Sequence, residues 1–281
     1  MKRLLRKRFS LLRNSSAVSP APWQKREMVA AMANEIKSNN ENRSVVLLDI
    51  GASGARQPYW ECLLNRDLLQ IIAVDMADDW SKKKSKQPAN LIKIKAALGN
   101  ENGRRTAFIT RHPACSSILK PNLEVLKPYA VKKWFDVILE EEIEIRRYDD
   151  LAEEKSLPQP DMAKIDVQGF EAQVIQGMGR IFDNLLCLEF ECPLKRLYYG
   201  QATFMELNEN MNRKGFLLRD LRPQGPFEGE AVEFNTYWAR KPRNERENRI
   251  IRLWEAANEL WSGGDFETID AQQRAAFFFN A

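Results

Sequence analysis

The fold is decided by the stretch VVLLDIGASG at residues 45–54, together with IIAVD at residues 71–75. Each is an apolar run of the length of a buried parallel strand, and an acidic residue lies at or near its end. Glycine lets backbone amides approach a bulky ligand, and a carboxylate at the tip of the next strand accepts hydrogen bonds from both ribose hydroxyls. The pair therefore predicts a nucleoside-binding crevice, against the alternative of two ordinary buried strands with a glycine turn.

The glycine spacing indicates which nucleoside the crevice would bind. A dinucleotide site expects Gly-x-Gly-x-x-Gly around a pyrophosphate, whereas here only Gly51 and Gly54 are present, preceded by Asp49. A carboxylate at Asp49 repels phosphate and suits a cationic amino-acid ligand. S-adenosylmethionine fits, because it joins an adenosine to sulfonium and ammonium groups and carries no phosphate.

Composition and charge place limits on the class of protein. The chain has 281 residues, of which 44% are hydrophobic and 29% charged, as expected for one α/β domain with appendages. Six of its 43 Lys and Arg residues lie in the first 13 positions, where no acid occurs, and the remaining 37 face 39 acidic residues. This near-neutral body argues against a nucleic-acid partner. The basic arm is either a disordered tail or an amphipathic helix that contacts a membrane surface.

Cysteine and histidine usage narrows the chemistry further. The four cysteines form no Cys-x-x-Cys pair, which is typical of a reduced, intracellular protein, and we expect a cytoplasmic location. His112 is the single histidine, so a histidine-rich metal centre is excluded and no metal is expected. No stretch has the apolar length of a transmembrane helix or of a signal-peptide core, and neither is expected.

The pattern divides the chain into three parts: a basic arm with a short helix at 1–43, a main domain at 44–241, and a C-terminal helical extension at 242–281. Predicted strands at 45–50, 70–75, 91–98, 162–167, 185–190, 216–220 and 234–239 are separated by helices at 60–67, 171–177 and 204–214. Such alternation predicts an α/β fold, with a mostly parallel sheet covered by helices on both faces. Inserted strands are expected at 106–111 and 135–146, a hairpin turn at 222–226, and a C-terminal helix at 243–260.

Several separate blocks carry a resemblance to a known family. They are DIGASG (49–54), VD (74–75), AALG (96–99), SS (116–117), YDDL (148–151), KIDVQGFE (164–171), LEFE (188–191) and LYYGQ (197–201). Through them the chain resembles the FkbM-like family of S-adenosylmethionine-dependent methyltransferases from about residue 45 to residue 240. The resemblance implies a Rossmann-like class I methyltransferase with a seven-stranded sheet. Tyr148 replaces a residue that is usually apolar in the family, and Ser53 stands where Asn is common.

Candidate cofactor residues follow from the rule that ligands bind outside the carboxyl ends of parallel strands. The glycine turn would enclose the methionine part of S-adenosylmethionine, the carboxylate of Asp75 would hold the ribose, and Ala97 and Leu98 would line the adenine. Ser117 would orient either the cofactor carboxylate or the acceptor, although a plain turn explains it equally well. The predicted cofactor-binding residues are Asp49, Gly51, Ala52, Ser53, Gly54, Asp75, Ala97, Leu98 and Ser117.

Three residues are candidate catalytic bases. Asp166 ends a buried strand at the crevice, although it could instead cap the following helix. Glu189 lies on a predicted strand, two residues before Glu191 and therefore on the same face. His112 would be a suitable base as a neutral imidazole, but a lone histidine in a loop is also often exposed and without function.

Two further acids near these bases are assigned structural roles. Glu191 requires either a partner or a ligand, and pairing with Lys195 or Arg196 is the favoured alternative. Glu171 begins a helix, where the helix dipole alone explains an acidic residue.

The resemblance also supplies an expected acceptor, a hydroxyl on a sugar or natural-product scaffold. Methylation of nitrogen and a non-catalytic nucleoside-binding or scaffold role remain the alternatives. The expected partner is accordingly a small-molecule or glycan acceptor, and the sequence leaves the oligomeric state open.

Overall fold

The computed structural model describes residues 22–39, 43–52, 57–76 and 88–260. The basic arm at 1–21, Ser53 and Gly54 of the glycine turn, and the C-terminal end at 261–281 lie outside the described residues. The α-helices are α1 (Pro22–Ser38), α2 (Pro58–Asn65), α3 (Leu123–Leu126), α4 (Tyr148–Glu154), α5 (Glu171–Gly177), α6 (Gly179–Asp183), α7 (Phe204–Arg213) and α8 (Glu245–Ala257). The strands are β1 (Val45–Ile50), β2 (Leu69–Asp75), β3 (Leu91–Lys95), β4 (Ala97–Leu98), β5 (Gly103–Thr110), β6 (Val137–Arg146), β7 (Met162–Ile165), β8 (Cys187–Pro193), β9 (Phe216–Gln224) and β10 (Glu233–Arg240). No helix in the described part of the chain is long and apolar enough to cross a membrane.

The main sheet has seven strands in the order β3-β2-β1-β7-β8-β10-β9. Its first five strands in that order are parallel, and β10 runs antiparallel to both of its neighbours. Numbered within this sheet, the order is 3-2-1-4-5-7-6, with only the seventh strand reversed. The predicted α/β fold with a mostly parallel seven-stranded sheet is therefore confirmed.

Helices cover the sheet on both faces, as the alternation predicts. On one face Leu47 and Ile71 pack against α1, α2 and α8, and on the other Leu48 and Ile72 pack against helices α4 to α7. Every residue of β1 is buried, which explains why its sequence is an unbroken apolar run rather than an alternating one.

The inserted strands form a second sheet, in the order β4-β6-β5. Here the prediction of one strand over 91–98 is wrong, because the chain changes sheets at Ala96. The amide of Ala96 donates to the carbonyl of Asp75 at 3.1 Å, and Ala97 then pairs with Ile145 of β6. Strands β3 and β4 thus pair with different neighbours, although the apolar pattern of the sequence continues across the break between them.

Two other boundaries differ from the prediction. Strand β8 starts at Cys187 and continues past residue 190 to Pro193, and β9 runs to Gln224 through most of the predicted turn at 222–226. Pro223 is tolerated inside β9 because this strand is the edge of the sheet, where proline disturbs fewer ladder hydrogen bonds.

The hydroxyl group of Tyr148 lies inside the hydrophobic core. Its side chain is fully buried, and its hydroxyl has no hydrogen-bond partner among the described residues. Burial raises the pKa of this phenol well above its usual value. We expect Tyr148→Phe to increase the free energy of unfolding by about 1 kcal/mol, because the variant removes a desolvated polar group and keeps the ring. Urea denaturation measures the difference.

The matched control is Tyr199→Phe, since the Tyr199 side chain is 52% exposed and its stability contribution should not change. A loss of stability in Tyr148→Phe would show that the hydroxyl has a partner which the described contacts do not include.

Candidate active site

The candidate site lies at the carboxyl ends of β1, β2, β7 and β8. From β1 the chain proceeds to β2 on one side, while β7 lies on the other, so the strand order reverses between β1 and β7. Ligands of open α/β sheets bind in the crevice outside such a reversal.

Gly51 forms the tip of β1. Its amide donates to the carbonyl of Val74 at 2.9 Å, and its φ is +79°, a conformation that favours glycine. A Cβ at this position would collide with the carbonyl oxygen of Asp166. Glycine is therefore required for the tips of β1 and β7 to lie side by side.

A row of polar side chains crosses the sheet just before these tips. The row runs from Asp49 on β1 to Lys164 on the adjacent strand β7. It continues to Glu189 on β8 and ends at Tyr237 on β10, each residue lying opposite the one before it. Burial alone would lower the pKa of Lys164, but the carboxylates of Asp166, Asp49 and Glu189 raise it well above its usual value. Burial raises the pKa of Glu189 to about 7, although Lys164 opposes the shift. Lys164 is thus a charged amine held among carboxylates.

A second polar row follows at the tips themselves. Asp166 lies directly after β7, with Oδ2 3.2 Å from the Nζ atom of Lys164 and Oδ1 accepting from Nε2 of Gln168 at 3.0 Å. The same Nε2 atom donates to Oε2 of Glu191 at 3.1 Å. Burial, together with the charges of Glu233 and Asp166, raises the pKa of Glu191 well above its usual range.

The expected pairing of Glu191 with Lys195 or Arg196 is wrong. Lys195 forms an ion pair with Glu230, and Arg196 forms one with Glu206 at 2.7 Å. Both basic side chains lie beyond the end of β8 and turn away along the surface. Sequence proximity favoured a pairing that the direction of the strand does not permit.

The loop from Asp166 to α5 is held by Glu171. Its Oε1 atom accepts from the amides of Val167 at 3.3 Å and Gly169 at 3.0 Å, which confirms the structural role predicted for this acid. Burial raises the pKa of Glu171 to about 7, against the effect of these backbone donors. The alternative role of Asp166 as a helix cap is wrong, because the N-cap of α5 is Phe170 and no side chain caps it.

Ser117 connects the inserted sheet to this loop. Its hydroxyl donates to the carbonyl of Gln168 at 2.6 Å and accepts from the amide of Leu119 at 3.0 Å. Its backbone pairs with Phe108 of β5. The inserted sheet therefore lies beside the crevice, and Ser117 joins the two.

The remaining predicted residues have different positions. Asp75 is half-buried at the tip of β2, next to the β1 tip. Ala97 and Leu98 are buried in β4, and the Leu98 side chain belongs to the hydrophobic core. His112 is exposed beyond β5, and its ring stacks on Trp134 with the centroids 5.0 Å apart. The structure thus brings Asp49, Gly51, Asp75, Asp166 and Glu189 to one crevice, while His112 lies on the inserted part.

The chemistry of the crevice fits S-adenosylmethionine. Among the described residues, the charged side chains of the crevice are mainly carboxylates. Lys164 is a cation among them, and three of these acids already surround it. Carboxylates suit a ligand with a sulfonium, an ammonium and a ribose diol, and they oppose a phosphate. Within the described ranges, no group of three His, Cys, Asp or Glu side chains is arranged to hold a metal ion.

A comparison with protein families identifies the chain. The model of the Methyltransferase FkbM domain matches residues 63–218, which is more than half of the sequence. The chain belongs to the FkbM methyltransferase family. S-adenosylmethionine is the cofactor of this methyltransferase family, and the predicted family and cofactor are both confirmed. No curated protein matches the sequence of this FkbM methyltransferase.

Solved structures with a similar arrangement include three bacterial methyltransferases. One is the 1,6-didemethyltoxoflavin-N1-methyltransferase of Burkholderia thailandensis, with 12% identity, a TM-score of 0.36, and coverage of 78% of this chain and 81% of that one. The magnesium protoporphyrin IX methyltransferase of Synechocystis PCC 6803 has 10% identity, a TM-score of 0.35, and coverage of 83% and 91%. The precorrin-6y C5,15-methyltransferase of Geobacter metallireducens has 14% identity, a TM-score of 0.33, and coverage of 76% and 88%.

The sequence interpretation missed three residues around the candidate base of this FkbM methyltransferase. Gln168, Tyr198 and Glu233 received no role, although Gln168 bonds both Asp166 and Glu191. Glu233 lies diagonally across from Glu191 on the neighbouring strand, where burial and the charges of Glu171 and Asp166 raise its pKa to about 8. The sequence feature that could have indicated a role for Gln168 is its position between an acid and a glycine in the block KIDVQGFE.

Proposed function

We propose that this FkbM methyltransferase methylates a hydroxyl oxygen on a sugar or natural-product scaffold. The observation that carries the proposal is the placement of Asp166. Its carboxylate lies at the crevice, and both of its oxygens are held, one by Lys164 and the other by Gln168. A hydroxyl must lose its proton as it is methylated, so a fixed carboxylate beside the acceptor supports an oxygen acceptor.

The residues proposed to hold the cofactor surround the tips of β1 and β2. The turn from Gly51 to Gly54 would enclose the methionine part, Asp75 would accept hydrogen bonds from the ribose, and Ala97 and Leu98 would adjoin the adenine. Asp49 and Ser117 complete the proposed set. When bound, S-adenosylmethionine supplies a methyl group on a positively charged sulfur.

The chain itself supplies alignment and proton transfer. Asp166 is the proposed base, and Glu189 is the second candidate because its pKa of about 7 lets it exchange a proton near neutral pH. His112 is the third candidate, and its position beyond β5 would require the acceptor to extend over the inserted sheet.

A nitrogen acceptor is the second proposed function, and the acid-rich crevice favours it. Glu189, Glu191 and Glu233 lie on one face of the sheet, and their carboxyl oxygens would accept hydrogen bonds from the N–H groups of an amine. A neutral amine needs less help from a base than a hydroxyl does, so Asp166 would then be dispensable for turnover.

Two measurements, made one after the other, test the proposed function. Titration calorimetry of the full chain with S-adenosylmethionine, S-adenosylhomocysteine and NAD should give heat with the first two ligands only. Mass spectrometry should then compare glycan and lipid-linked sugar pools from cells with and without the protein, and the pools from cells lacking it should have lost one methyl mass.

The purified protein should restore that mass when it is given trideuteromethyl-labelled cofactor. A label on nitrogen would replace the oxygen proposal with the second one. Folded protein that binds neither adenosyl ligand would contradict both, and it would favour a scaffold role.

A further inference from the structure

The basic arm at residues 1–13 has no part in the function proposed above. Its six Lys and Arg residues occur with no acidic residue, and five apolar residues are interspersed among them: Leu4, Leu5, Phe9, Leu11 and Leu12. Lys and Arg are attracted to the anionic headgroups of a bilayer, and leucine and phenylalanine side chains enter its interface. Binding to nucleic acid uses the charges but gives no reason for the apolar residues. The composition of the arm therefore favours a lipid surface.

The arm joins the described structure at α1, whose contacts show which edge of the sheet it reaches. Near the C-terminal end of α1, the Nζ atom of Lys37 lies 2.9 Å from Oδ2 of Asp67, in the turn before β2. Near the other end, Nζ of Lys25 lies 2.8 Å from Oε1 of Glu259, which also accepts from the hydroxyl of Tyr59 at 2.8 Å. Tyr59 is in the first turn of α2, which follows the glycine turn at the carboxyl end of β1. The arm is therefore attached at the edge of the sheet that holds the crevice.

An exposed tryptophan lies at this end of α1. Trp23 is the second residue of the helix and is 65% exposed, and Arg26 is exposed one turn later. Tryptophan is enriched where a protein meets the membrane–water interface, because its ring is apolar and its N–H remains hydrated. The combination of basic and apolar residues in the arm thus continues into a folded helix beside the crevice.

A second exposed apolar group lies on the other side of the crevice, beyond the carboxyl end of β8. It consists of Leu123, Leu194 and Tyr199, which are between 37% and 52% exposed. The amide of Tyr199 donates to the carbonyl of Lys120 at 2.9 Å, so the segments that carry these side chains lie side by side. Lys120 is exposed as well. Exposed apolar and basic side chains therefore flank the crevice on both sides.

We propose that the arm and this edge of the sheet dock on an anionic lipid bilayer, with the open side of the crevice towards the headgroups. The arm supplies most of the charge attraction, and Trp23 and the group beyond β8 supply the apolar contacts. In this orientation, an acceptor whose lipid portion stays in the bilayer places its hydroxyl beside Asp166. The docking is independent of the proposed function, whereas a lipid-borne saccharide as the acceptor rests on it.

Sedimentation of the full chain with vesicles tests the docking. Vesicles of equal parts phosphatidylcholine and phosphatidylglycerol should bind the wild type, whereas vesicles of phosphatidylcholine alone should not. In Lys2→Gln/Arg6→Gln/Lys7→Gln the partition into the anionic vesicles should fall about 100-fold, because each basic residue at such a surface contributes about fivefold. Wild-type protein that sediments with neither kind of vesicle would overturn the proposal, as would an arm variant that binds like the wild type.

The matched control is Arg213→Gln/Lys214→Gln/Lys241→Gln, which removes the same net charge from exposed positions. These residues lie before β9 and after the antiparallel β10, and therefore at the opposite edge of the sheet. The partition of this variant should stay within about threefold of the wild-type value. Equal losses in the two triple variants would mean that net charge alone governs binding, which would also overturn the proposal.

Two single substitutions test the apolar contacts. Trp23→Ala and Leu194→Glu should each lower the partition about tenfold. Leu217→Glu is the control, because Leu217 is 39% exposed at the start of β9, on the opposite edge, and the partition should not change. Equal binding by all three variants would contradict the proposed orientation. Calorimetry with S-adenosylhomocysteine checks that each variant is folded.

Two further results separate this inference from its alternatives. Wild-type protein that binds duplex DNA and not the anionic vesicles would identify the arm as a nucleic-acid contact and overturn the docking. In the mass spectrometry comparison, the lipid-linked sugar pool should lose the methyl mass. A mass lost only from free glycans would contradict the lipid-borne acceptor and leave the proposed function intact. Vesicle binding by a protein that binds no adenosyl ligand would contradict the proposed function alone.

Discussion

Asp166→Asn is expected to lower the rate of methyl transfer by about 100- to 10,000-fold, the usual contribution of a general base. Asparagine keeps the size of the side chain and can still bond Gln168, but it cannot accept the acceptor's proton. Affinity for S-adenosylhomocysteine should change little, because the proposed ribose contact is Asp75 at the tip of β2. Transfer of a trideuteromethyl group at saturating cofactor, together with calorimetry, measures both quantities.

The control for this substitution is Asp183→Asn, which makes the same change at an exposed position at the end of α6. Normal turnover in Asp166→Asn with intact ligand binding would contradict the role of Asp166 as the base. In that case the acceptor would be an amine or the base would be Glu189, and Glu189→Gln would distinguish these two outcomes.

Gly51→Ala is expected to weaken cofactor binding by about 100-fold or more and to cost about 3 kcal/mol of the free energy of unfolding. Two effects combine at this position. A φ of +79° is strained for alanine, and the added Cβ collides with the carbonyl oxygen of Asp166. The tips of β1 and β7 must then separate, which displaces the proposed base as well. Calorimetry and urea denaturation measure the two losses.

Gly103→Ala is the matched control, because Gly103 has no positive φ and a Cβ there meets nothing within 4 Å. It should leave both stability and binding unchanged. Wild-type binding by Gly51→Ala would mean that the ligand does not enter between these strand tips.

The parts of the fold that follow from local pattern could be predicted from the sequence. The apolar runs of β1 and β2 are buried strands, and Glu189 and Glu191 share a face because strand side chains alternate. Leu188 and Phe190 accordingly lie in the hydrophobic core on the opposite face. These features depend only on residues within one element.

The contacts around the candidate base could not be predicted in this way. The amide of Gln168 reaches Glu191 from a backbone with a positive φ, and the hydroxyl of Tyr198, 30 positions further along the chain, lies near its Oε1 atom. Glu233 lies near Glu191 because of the antiparallel register of β10 and β8, and neither strand pattern specifies that register alone. The division of 91–98 between two sheets likewise depends on Ile145, a partner from a distant segment.

The bond between Ser117 and Gln168 has a consequence for where the inserted strands can tolerate substitution. The antiparallel strands β5 and β6 are attached beside the loop between β7 and α5 through this hydroxyl and the adjoining backbone pair, and the Ile138 and Leu139 side chains of β6 are largely exposed. Mutations at those exposed tips can accumulate without moving the loop, provided that Ser117 is retained. Substitutions at the outer end of the inserted sheet are therefore expected to leave the backbone around Asp166 in place.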